Sequence, residues 1–145
     1  MHLISRFSLF LALATICFST LADESMRALE KQGTNLRLSG NFVAAKIIEN
    51  ELIARYTQPA GHVFALNSII TQLTWDEKET LYDEALVNHA SKTLDWCEPR
   101  LEFEEVGATA NYYCGQANFA LSFHHALRGN YYQAGKRGTA SIDYL

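Results

Sequence analysis

The chain has 145 residues, of which 48% are hydrophobic and 19% charged, with a net charge of −4 at neutral pH. A mildly acidic chain of this size suits one small domain. It argues against a nucleic-acid surface, which needs clustered Lys and Arg to meet phosphates.

Residues 1–22 read as an export signal. Arg6 and the amino terminus give positive charge, Phe7 to Phe18 form a nearly unbroken apolar run, and Ser19, Thr20 and Ala22 form a small-residue cleavage region. The run is too short for a membrane span, which needs about 20 apolar residues. Removal of this segment takes one base, Arg6, and no acid, so 11 of the 12 bases face 16 acids for a net −5. No later apolar stretch is long enough to cross a membrane, so the domain expected over 23–145 has no span after cleavage. Of the three cysteines, Cys17 leaves with the signal. Cys97 and Cys114 remain, and in an oxidising compartment they could form one bridge or stay as free buried thiols.

Beyond the signal, apolar residues recur at helical spacing and strict alternation is absent, so an all-α domain of about six helices is expected. The first runs from about Asp23 to Ser39 with Met26, Leu29, Gly33 and Leu36 on one stripe. Gly40-Asn41 turns the chain. The second runs from Phe42 to about Tyr56 with Phe42, Ala45, Ile48 and Leu52 inward, and Pro59 and Gly61 end the hairpin. The third covers about His62 to Leu73. Thr74-Trp75-Asp76-Glu77 reads as a capping box that starts a fourth helix running to about Cys97. Pro99 and the acids Glu102, Glu104 and Glu105 form a loop. The fifth, about Val106 to Arg128, is apolar on most of its circumference, so it is expected to pack on several sides. The sixth starts at about Asn130 and carries Tyr131, Ala134, Gly138 and Ile142. Trp75, Trp96, Tyr112 and Tyr131 are expected to be packing residues.

The segment from Gly129 to Arg137 approximates a phosphate loop but fails it. Five residues separate Gly129 from Gly135 instead of four, and Arg137 stands where a Ser or Thr would bind magnesium. The same segment echoes an earlier one. Gly40-Asn41-Phe42-x-x-Ala45 and Gly129-Asn130-Tyr131-x-x-Ala134 share the pattern Gly-Asn-aromatic-x-x-Ala. Glycine allows the left-handed turn that stops a helix, asparagine can cap the next one, the aromatic fills the corner, and alanine lets the two helices approach.

This pattern resembles the middle of a tetratricopeptide repeat. Gly33 also falls on the consensus glycine of the first helix, and Pro59 lies two residues past the usual terminal proline. The stretch from Glu84 to Leu145 resembles exported bacterial proteins with degenerate repeats of this kind. The resemblance implies a right-handed array of about three antiparallel helix pairs. Such arrays generally continue further, so a shortened relative or a fragment is expected. It also implies that polar residues on the first helix of each pair line a groove: Arg27, Lys31 and Asn35 on the first helix, and Asn111, Asn118, Ser122 and His125 on the fifth. An ordinary solvated face with some helix-packing polar groups explains the same residues.

No catalytic constellation emerges. His124 and His125 point about 100° apart and cannot jointly hold one metal, so His124 reads as a core histidine. Cys114 lies too far along its helix from either histidine for a catalytic pair. The expected function is therefore a non-catalytic interaction or scaffold module of the bacterial periplasm or cell envelope, with no cofactor. Its expected partner is another protein or peptide, or a second copy met through the last helix. The alternative is an accessory or small-ligand-binding subunit of an envelope enzyme system.

Overall fold

The computed structural model describes residues 24–144. The expected signal segment, residues 1–22, lies outside the described residues. Those described form six α-helices and one 3-10 turn, with no strand among them. Helix α1 covers 24–38. It is followed by α2 (Phe42–Arg55), α3 (Ala60–Leu73), α4 (Asp83–Cys97), a 3-10 turn (Glu98–Arg100), α5 (Gly107–Leu127) and α6 (Tyr131–Asp143).

The repeated turn works largely as its residues dictate. Gly40 and Gly129 adopt φ of 79° and 73°, the left-handed conformation that side chains resist. The Asn41 side chain accepts a hydrogen bond from the Ala44 amide at 3.2 Å. Asn130 makes no such cap. Ala45 and Ala134 are both buried beneath their turns. The aromatic of the second turn does not fill its corner, for Tyr131 is 76% exposed.

Helix α3 is the centre of the core. It packs on α2, α4 and α5, and Val63, Phe64, Ala65, Leu66, Ile69 and Leu73 are all buried. Two glycines permit this crowding. A Cβ on Gly33 would come within 2.7 Å of the Phe64 ring, and one on Gly61 within 2.6 Å of the Ile53 backbone nitrogen. Gly61 is thus not a helix stop but part of the first turn of α3, which Pro59 precedes as N-cap. Proline is tolerated there because the first amides of a helix have no intrahelical partner.

The capping box at Thr74 does not form. The Thr74 hydroxyl donates back to the Thr71 carbonyl at 2.7 Å, closing α3. The acids are spent on local turns: Asp76 accepts from the Lys78 amide at 3.1 Å and Glu79 from the Leu81 amide at 2.7 Å. Arg128, just past α5, then clamps the loop. It donates to the Glu77 carbonyl at 2.8 Å, to the Glu79 carbonyl, and through Nε and Nη2 to both Asp83 oxygens at 2.7 Å. Helix α4 accordingly begins at Asp83, with Tyr82 and not Thr74 at its N-cap position. Trp75 lies in this loop and is largely exposed, with an edge contact to Phe42 at a 6.0 Å centroid distance.

Helix α5 is covered by α3, α4 and α6. The α5–α6 seam is made of small and polar groups. Ser122 donates to the Ala134 carbonyl at 2.8 Å, Ser141 to the Gly115 carbonyl at 2.9 Å, and Arg137 to the Asn118 side chain at 3.0 Å. Ala134 and Gly138 face α5, and Ile142 points outward, 73% exposed. Cys97 and Cys114 stand at disulfide distance with Cα atoms 5.7 Å apart, and both are fully buried, tying the end of α4 to α5.

Gly61→Ala should destabilise the protein by roughly 1–3 kcal/mol, because the new methyl meets backbone that cannot yield. Gly135→Ala should stabilise it by up to about 1 kcal/mol, since its Cβ would meet nothing within 4 Å. Urea unfolding followed by circular dichroism measures both. Opening the Cys97–Cys114 link, 17 residues apart in sequence, should cost about 3 kcal/mol. The check is the urea midpoint with and without reductant, together with alkylation and intact mass.

Candidate functional site

Helices α2 and α4 both lean on α3, and their backbones stay apart. The space between them is a cleft of about 540 Å³. Its apolar lining comes from Phe42, Val43 and Ile47 on α2, Ile69 on α3, and Tyr82 and Ala85 at the start of α4. The local cause lies in α2, which is apolar on two faces. Ala45, Ile48 and Leu52 go into the core, while Val43 and Ile47 remain 81% and 64% exposed.

The polar floor of the cleft holds Glu49 and His89. Glu49 shares the inward stripe of α2, at positions 45, 48, 49 and 52, and its side chain is only 4% exposed. Its Oε1 receives a hydrogen bond from the Lys46 ammonium and lies 3.9 Å from His89 Nε2. Behind it, His62 Nδ1 and His89 Nδ1 are 2.9 Å apart. Two neutral imidazoles can share this contact only if one donates and the other accepts. With the His89 proton on Nε2, facing the carboxylate, its Nδ1 accepts from His62.

Burial is the main cause that lowers the pKa of His89 to about 4, aided by His62, Lys46 and Lys92. His62 is lowered too, first by burial and then by Lys92. Both rings are therefore uncharged at neutral pH, and the cleft contains one carboxylate and one ammonium.

A second concavity of about 160 Å³ lies between α1, α3 and α5 and includes Thr34, Arg37, Asn67 and Tyr112. The Arg37 guanidinium sits 5.4 Å from the Phe64 ring centroid. Its Nε and Nη1 are buried without a hydrogen-bond partner among the described residues, and burial lowers its pKa.

The residues expected to line one groove are divided between different surroundings. Arg27, Lys31 and Asn35 are exposed on α1, while Asn111 and His125 are half-buried on α5. Asn118 and Ser122 belong to the seam with α6. Asn118 is buried, donates to the Cys114 carbonyl at 3.0 Å and accepts from Arg137, and Ser122 bonds the Ala134 carbonyl. Helix α6 thus covers two positions that the sequence pattern had on an open stripe, Ser122 through its backbone and Asn118 through the Arg137 side chain. His124 is buried, with Nε2 3.4 Å from Asp83 Oδ2. No group of three or more His, Cys, Asp or Glu side chains among the described residues is arranged to hold a metal.

Sequence reasoning missed Glu49 and Arg37 and assigned no definite role to His62 and His89. Only Glu49 carried a local signal, a carboxylate at a position the helical period puts inside. The histidine pair joins residues 27 apart in sequence, and no motif announces it. Comparison with family models, with curated proteins and with solved structures finds no match for the chain.

The depressed histidine sets a pH dependence. Unfolded, His89 takes up a proton near its ordinary value of 6.5; folded, it resists until about 4. The unfolded state therefore binds more protons between these values, and stability should fall as pH drops from about 6.5 towards 4. His89→Asn should show a shallower loss over that window when urea midpoints are measured against pH.

Proposed function

We propose that this chain is a non-catalytic interaction module of the bacterial cell envelope, and that it holds a protein partner by an apolar segment laid into the cleft between α2 and α4. The observation that carries this reading is the cleft itself, an apolar trough whose rim residues Val43 and Ile47 stay uncovered. An apolar groove between helices is a common seat for an amphipathic partner segment. We read the architecture as a tetratricopeptide-like right-handed array of three antiparallel helix pairs. The two glycine turns of positive φ and the alternating helix packing support that reading. Export through residues 1–22 is part of the proposal, and the cysteine pair at disulfide distance is compatible with it.

The volume of the cleft also suits a small apolar ligand, which is the alternative function. The uncovered rim favours a protein segment, because a small molecule on the floor would leave Val43 and Ile47 in water. Self-association is a separate reading supported by α6. That helix packs on α5 alone among the helices whose contacts are described, and Tyr131, Tyr132 and Ile142 are exposed on it.

Val43→Asp should abolish capture of the partner from envelope extract while leaving the helical circular dichroism unchanged. Charge reversal at Arg27 and Lys31 should leave capture intact. The reverse pattern would move the binding face to α1 and sink the cleft. Sedimentation across a concentration series reads self-association, and a monomer throughout would remove the α6 reading.

A further inference from the structure

The pair that closes the floor of the cleft is lopsided. The Glu49 side chain is 4% exposed and that of Lys46 58%. They lie three residues apart on α2, so the lysine reaches the carboxylate from the rim. A largely hydrated ammonium on a flexible stem can return to water with little loss. The carboxylate, set in the buried stripe with Ala45, Ile48 and Leu52, cannot follow it.

No other group in the lining can replace that cation. Glu49 and Lys46 are the only lining residues charged at neutral pH, because His89 is held uncharged. Two neutral polar groups of the lining are committed elsewhere: the Ser68 hydroxyl donates to the Phe64 carbonyl at 3.0 Å, and the Gln72 amide to the Ser68 carbonyl at 3.3 Å. The floor thus requires a cation, and the chain supplies one that is exchangeable.

Resting on the reading of the cleft as the partner site, we propose that Glu49 selects the occupant and that Lys46 stands in for it when the cleft is empty. The occupant is a segment of a partner protein that sets one lysine between apolar side chains. Its apolar residues lie against Val43, Ile47 and Ile69, and its ammonium takes the place of the Lys46 ammonium on Glu49. Lys46 then swings into solvent. Charge complementarity holds at longer range as well, since the chain carries a net −4 and draws a basic segment in preference to an acidic one.

The test uses the purified chain and three blocked peptides of alternating leucine and alanine, which differ only in a central lysine, norleucine or glutamate. Isothermal titration should show the lysine peptide binding about tenfold more tightly than the norleucine peptide, the worth of one charge-assisted hydrogen bond, and the glutamate peptide weakest. Glu49→Gln should erase the preference for lysine. Lys46→Met should tighten the lysine peptide, because the internal competitor is gone, whereas a merely structural ion pair predicts no gain. Circular dichroism confirms that each variant is folded. Norleucine binding as tightly as lysine, or weaker lysine binding in Lys46→Met, overturns the proposal. If that happens while Val43→Asp still abolishes binding of every peptide, the cleft stands and only its choice of cation is wrong. If no peptide binds, or Val43→Asp changes nothing, the cleft reading falls with it.

Discussion

The architecture depends on how closely neighbouring helices can approach α3. Its apolar residues are buried against α1, α2, α4 and α5, and two glycines remove the methyl groups that would hold α1 and α2 off. At Gly61 the neighbour is backbone, which cannot rotate away as a side chain can. Because α3 is deep, α2 and α4 settle on either side of it with their backbones apart, and Glu49 faces His89 across the gap. The cleft is therefore a consequence of core packing.

The floor of that cleft follows a different rule from its walls. Apolar walls are unsurprising between amphipathic helices, but a buried carboxylate is costly unless it is paired. Glu49 is paired by a residue from the rim, while the two histidines behind it are neutral and share one hydrogen bond. Burial suppresses their charge, so Lys46 remains the only positive group on the lining of the cleft. A binding surface of this kind can discriminate between occupants by charge as well as by shape.

The other half of the molecule is held by different means. Helices α5 and α6 approach through Gly138, Ala134 and Gly115, with serine hydroxyls closing on backbone carbonyls across the seam. Small residues bring backbones close enough for such bonds, and buried hydroxyls need them. The Cys97–Cys114 pair and the Arg128 clamp fix the two ends of α4, one to α5 and one to the loop before it. The core is thus pinned at both ends of one helix by groups distant in sequence.

The sequence by itself determined the helices and the turns between them. Their signals are local: apolar residues at helical spacing, and glycines whose left-handed φ at positions 40 and 129 was implied by the residue type. The start of α4 was misread because Asp76 and Glu79 satisfy turn amides, a competition that Arg128, about 50 residues away, helps decide. The bonds of the α6 seam were not legible, because they are polar and apolar periodicity carries no sign of them. Glu49 was visible in principle as a charge on an inward stripe, but its meaning depends on His89 and the gap beside α4. Only the tertiary structure decided that gap, because it arises from distances between helices, and no local pattern encodes where two helix backbones stay apart.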